Sequence, residues 1–472
     1  MYRLSILLFV ILFSSACSGP TMRNPSASLK EIGKSPSQHI RAMELLDSHV
    51  GIDNSSYKKQ LQRMLWVPGY TIEAREAALQ RLWNADQSGT IRIIRQQLAR
   101  INNWSWLTSL CVWIAEMEIV ELDEALISSW ANPTVLVQSE NDRPEYLALA
   151  KMHGEEGIAD LIFESMLHAN KSWKQGYRTR CWELLHRLHQ RERLLLLLEQ
   201  TEFAEDDTFF LDLQRTAREL GVVPHRREEI LWIRELSKPV YDSFWHEAVQ
   251  ALAKLDQTRR NAIEMRDIPI AVSLQRHGGK NAFDRSTHTI LNTVEKTTKN
   301  QPHYAETEGG GLYNAQSENL KTHRSVLTWG DAVTLEMLLA AMKVPEVKAH
   351  LFDYANRDYL DKSTEYGGVI ALDKKGRFEI LEFEPKIRTH DRRFNASQDM
   401  FDAAYTALFH FHFHAQKLRN GDHAGPGIGD KNYADNTRAN CLVFTYINEE
   451  TLNVDYYRHG GVVIDVGTIS KP

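Results

Sequence analysis

Cysteine is scarce in this chain: 472 residues hold four, Cys17, Cys111, Cys181 and Cys441, and no C-x-x-C pair. So few and so widely spaced, they exclude a disulfide framework and a zinc ribbon. Cys111 and Cys181 fall in apolar helical segments and Cys441 opens an apolar strand, so each is expected to be a small buried hydrophobe. A dominant charge is missing too. The 56 basic and 62 acidic side chains leave a net −6, which gives no basic surface able to neutralise many phosphates, and no nucleic acid partner is expected. There is no G-x-S-x-G, Walker or dinucleotide fingerprint, because the glycines at 309–311 do not lie between a strand and a helix.

What is present is ordinary for a folded chain: 43% apolar and 25% charged residues, over a length that favours two or three domains. Arg3, the apolar run from Ile6 to Phe13 and the small residues Ser14-Ser15-Ala16 before Cys17 read as a signal peptide, residues 1–17. The run is far shorter than the roughly 20 apolar residues of a spanning helix. Its end resembles a bacterial lipobox, with Ser14 where Leu is usual. That resemblance implies lipidation at Cys17 and membrane contact through the lipid anchor only. Ser18, in place of the Asp that retains lipoproteins at the inner membrane, implies the periplasmic face of the outer membrane in the cell envelope.

Residues 18–40, rich in Ser, Pro, Gly and Asn, have the composition of a flexible tether. From 41 to 275 the pattern is helical and recurs. Apolar segments end on Leu82, Met117, Met152, Leu188, Leu220 and Leu255, a spacing in the range of helix-hairpin repeats whose exposed faces need stacked neighbours. The expectation is an α-solenoid, loosely similar to HEAT or TPR arrays, that presents a surface to a protein or peptide partner. Trp104, Trp106, Trp113, Trp130, Trp173 and Trp182 read as packing between helices. The polar, Gly-interrupted stretch 276–325 reads as a linker. Residues 326–472 mix helical periodicity at Val333–Tyr354, a β-hairpin around Lys374-Lys375-Gly376, a helix from Ser397 to Leu408 and strands at His410–His414, Leu442–Ile447, Leu452–Tyr457 and Gly461–Val466. This is an α/β domain.

Within it, His410, His412 and His414 alternate with Phe411 and Phe413, so a strand sends three imidazoles to one face and two rings to the other. Imidazoles at i and i+2 can share one zinc ion. A turn-rich segment, Ala424 to Asp430, brings a carboxylate, and Glu365 stands at the entrance of the Gly367-Gly368 strand. Which two of His410, His412 and His414 bind stays open at this point. His423 and Asp422 are rival ligands, and His459 reads as a turn residue. Two His and one Asp leave a position for water, and a nearby carboxylate that is not a ligand can take its proton.

The order Glu365, His412-x-His414, Pro426-x-x-x-Asp430 resembles the JAMM (JAB/MPN) metallopeptidase family. The resemblance covers roughly residues 330–472 and says nothing of the helical half. It implies one Zn2+ held by His412, His414 and Asp430, with Glu365 as the general base for the bound water, in a peptidase or isopeptidase-type hydrolase. The family's Ser, which donates toward the tetrahedral intermediate, is Gly427 here. That departure keeps a second expectation in view, a catalytically inactive JAMM-like scaffold or assembly module.

Overall fold

The computed structural model describes residues 24–132, 134, 136, 139–169, 174–304, 318–388, 394–416 and 420–472. The expected signal peptide with Cys17, Trp173 and the glycines at 309–311 lie outside the described residues. The chain divides into two units, residues 1–191 and 192–472.

The described part of the first unit is helical. Several of its helices begin where a short polar side chain can accept the first free N–H groups. Asn54 caps Ser55–Trp66, Thr71 caps Ile72–Ala85, Asp86 caps Gln87–Gln97 and Asn103 caps Trp104–Glu116. Trp106, Trp130 and Trp182 are fully buried, and Trp113 meets Trp83 edge-on at 5.1 Å. These tryptophans pack helices together, as the sequence suggests. The expected tether is structured over its described part. Pro25–Lys30 and Pro36–His49 are helices, the second opened by a capping box from Ser35. Leu29 is buried, and its carbonyl accepts from Gln60 Nε2 at 3.2 Å and Tyr70 Oη at 3.1 Å. One apolar side chain with two buried hydrogen bonds outweighs the tether-like composition.

In the second unit a mixed sheet of six strands has the order β2-β1-β3-β4-β5-β6: β1 Gly367–Leu372, β2 Phe378–Phe383, β3 Phe409–His414, β4 Cys441–Asn448, β5 Thr451–Arg458 and β6 Val462–Ser470. Only β3 and β4 pair in parallel, and every other neighbour is antiparallel. Helices Trp329–Ala341 and Pro345–Leu360 share one core with Phe409, Phe411, Phe413 and Phe444 of the sheet. Burying one Phe of this kind is worth about 1.5–3 kcal/mol.

That core also takes in Trp232, Trp245, Ile268, Ile270 and Leu274, together with Ile290, Leu291 and Val294 of helix Thr287–Thr298. The boundaries expected from the sequence are corrected accordingly. Helices up to residue 275 were grouped with the repeats, yet those after residue 191 belong with the sheet. Within the expected linker at 276–325, Thr287–Thr298 is a packed helix. The reason is area: an aromatic sheet face needs more cover than two helices provide, so the polar-looking Thr287–Thr298 turns its three apolar residues inward.

Candidate metal centre

The pleat of β3 divides its side chains. Phe411 and Phe413 enter the large core, while His410, His412 and His414 point to the opposite face. On that face, helices Gln398–Ala404 and Ile428–Thr437 flank a cavity of about 550 Å3 whose walls include Glu365, Phe394, His410, His412, Asp430 and Tyr433. Beside His412 in the ladder stands Gly367. A Cβ there would lie 2.6 Å from Phe411 O and 2.8 Å from the Phe394 ring, so the glycine is what lets β1, two residues after Glu365, approach β3.

His412 and His414 converge, their Nε2 atoms 3.3 Å apart. Asp430 completes the group, with Oδ1 3.3 Å from His412 Nε2 and Oδ2 3.6 Å from His414 Nε2. Four ligands at 2.0–2.1 Å around a tetrahedral ion lie about 3.3 Å from one another, so the two imidazole nitrogens already have that separation, and one atom from each of the three residues lies within 4.8 Å of the others. Two imidazoles and a carboxylate are the donor chemistry that zinc takes. Among the described residues this is the one group of three His, Cys, Asp or Glu side chains placed to hold a metal ion.

Asp430 is the third residue of helix Ile428–Thr437, and its Oδ2 also accepts from Gly427 N at 2.8 Å. Burial acts to raise its pKa, but His412 and His414 outweigh burial and hold the carboxyl well below the usual range. Burial likewise acts to lower His412, yet the carboxylates of Asp430 and Glu365 leave its pKa raised. Glu365 is 6% exposed. Desolvation raises its pKa against the pull of His412 and His414, and Asp430 adds to the rise.

The structure brings His412 and His414, and not His410, to Asp430. His410 lies on the same face but turns away, its Nδ1 2.9 Å from Tyr433 Oη. Burial lowers its pKa to about 4 and keeps the ring neutral. His423 is exposed at the end of the Asn420–His423 turn, and neither it nor Asp422 joins the triad. His459 is in a turn, as expected, and bonds Glu264 at 2.7 Å. Sequence reasoning missed helix Ile428–Thr437 and with it Tyr433, one turn beyond Asp430. The available signal was a glycine followed three residues later by Asp, an N-terminal pattern hidden by the weak apolar content of Gly429 to Thr437.

Fold and site together define a chain with a helical N-terminal unit and a mixed-sheet unit that carries a His2Asp candidate metal centre beside a buried glutamate. Comparison with protein-family models, curated proteins and solved structures finds nothing that matches it.

Proposed function

We propose that residues 326–472 act as a JAMM-like, zinc-dependent peptidase or isopeptidase-type hydrolase. On this reading the chain is held at the bacterial envelope by lipid on Cys17, and an α-solenoid in the helical half receives a protein or peptide partner. The observation that carries the reading is the convergence of His412, His414 and Asp430 on one point, with Glu365 on the wall of the same cavity. His412, His414 and Asp430 would hold one zinc ion. When bound, that ion polarises a water and a carbonyl oxygen.

Glu365 does the proton work. A carboxyl raised by burial is closer to the operating pH and so is a better base and a better acid in turn. It takes a proton from the water that attacks the carbonyl carbon and returns it to the nitrogen as the C–N bond breaks. Phe394, Met400 and Phe401 on the cavity wall limit competing water.

Gly427 favours the second reading, an inactive scaffold or assembly module. A Ser would fit there: φ is −71°, and an added Cβ meets only Asp430 Oδ2, at 3.6 Å. The backbone therefore does not explain the missing hydroxyl.

Metal analysis of the purified protein with His412→Ala, His414→Ala and Glu365→Gln tests the proposal. We expect about one zinc per chain in wild type, loss in both His variants, and retention in Glu365→Gln with hydrolysis of a peptide or isopeptide reduced about 10²–10⁴-fold. Unchanged metal content in the His variants would overturn the metal reading. Metal without hydrolysis in wild type would leave the scaffold reading.

A further inference from the structure

Arg75 of helix Ile72–Ala85 is 3% exposed. Its Nη2 donates to Val67 O at 2.9 Å, its Nε is buried without a hydrogen-bond partner, and among the described residues no carboxylate pairs with it. The guanidinium lies 5.6 Å from the centre of the Trp106 ring. Trp106 is fully buried, and its indole N–H also lacks a partner. Burial lowers the pKa of Arg75 with no acidic group to oppose it. A buried cation without a counter-charge is costly unless something else supplies the negative charge.

Both residues line a cavity of about 200 Å3. Arg100, Asn102 and Asn103 are on the same wall, which is also the N-terminal end of the thirteen-residue helix Trp104–Glu116, where the peptide dipoles add partial positive charge. No Asp or Glu is among its lining residues, and Leu65, Trp66 and Pro68 make the remaining side apolar. At about 30 Å3 per water-sized group, the space holds on the order of six or seven such groups.

We propose that this cavity binds a carboxylate carried on a short apolar body, the carboxylate facing the guanidinium groups of Arg75 and Arg100 and the body lying against Leu65 and Trp66. A free small acid and the C-terminus of a protein chain offer the same chemistry. The site is independent of the metal centre.

Calorimetry and thermal melting of the full chain with phenylacetate, phenylacetamide, inorganic phosphate and a short apolar peptide, as free acid and as amide, test it. The carboxylates should bind and raise the melting temperature while both amides do not. A free-acid peptide that binds at least tenfold tighter than phenylacetate assigns the site to chain termini, and the reverse assigns it to small acids. Arg75→Met should abolish the response. Should that variant fail to fold, Arg100→Gln on the exposed rim should weaken binding at least threefold with an unchanged melting temperature. Equal responses to acids and amides, phosphate binding tighter than any carboxylate, or full binding in Arg100→Gln together with any folded Arg75→Met would overturn the proposal.

Discussion

Two of the buried sets of charges in residues 192–472 are built in opposite ways. In the first, Arg458 grips Asp331 with Nε at 2.8 Å and Nη2 at 3.0 Å, and Arg266 reaches Asp331 at 2.9 Å and Glu264 at 2.8 Å. Asn440 and Tyr456 take up Arg266 Nη1. Positive and negative groups alternate, and the set ties the segment that enters helix Asp267–His277 and helix Trp329–Ala341 itself to Asn440, the residue before β4, and to β5. In the second, two imidazoles and a carboxylate turn their lone pairs toward one point. Opposite charges that face each other complete a structure, whereas lone pairs that converge leave room for a cation. Arg75 in the other unit extends the lesson, since a cation facing no acid implies an anion.

The comparison breaks first at Asp331. Asp331→Ala leaves Arg266 and Arg458 buried without their shared partner and should cost about 3–5 kcal/mol in urea unfolding. A loss below about 1 kcal/mol would mean that the network is not structural. Gly427→Ser addresses the other set. If the missing hydroxyl limits turnover, hydrolysis should rise about 10²–10³-fold with metal content unchanged. No rise, in a protein that holds zinc, would favour the scaffold.

pH separates the two states of the triad. In metal-free protein the raised pKa of His412 contributes stability that is full below the unfolded value of about 6.5 and is lost as pH rises through the folded value. Zinc requires the neutral ring, so zinc affinity should rise over the same interval, by up to about 1.4 kcal/mol per pH unit for one proton released. Unfolding of metal-free protein and zinc titration, each at pH 5.5 and 8, should therefore move in opposite directions. Parallel movement would disprove the linkage. The smallest effect is expected at Tyr433. Tyr433→Phe removes the partner of His410 Nδ1 and should cost about 1 kcal/mol of stability while zinc content stays the same. Loss of zinc in that variant would place His410 in the metal site after all.

Much of this was legible in the sequence because it depends on local periodicity. The alternation His-Phe-His-Phe-His assigned the two faces of β3 before any packing was known, and the apolar segments that end on Leu82, Met117 and Leu188 fall on helices that close within three residues of them, at Ala85, Glu116 and Arg187. That His410, His412 and His414 share a face was legible for the same reason, since i and i+2 on a strand must do so, whereas the set His412, His414 and Asp430 came from the resemblance to the JAMM motif. Caps such as Asn54, Thr71 and Asn103 act within three residues and could be read from the chain alone.

Tertiary structure decided the rest, because each remaining question turns on partners far apart in sequence. Which histidines converge depends on Tyr433 capturing His410 and on Asp430 entering from a helix with little apolar content of its own. The division at residue 191 rather than near 276 depends on how much aromatic sheet surface the later helices must cover. That Arg75 lacks an acid while Arg266 has three is invisible in composition, since the chain holds acidic residues to spare. The sequence determines which groups share a face, and only the fold determines which faces meet, because the cost of burying a charge depends on what lies across from it.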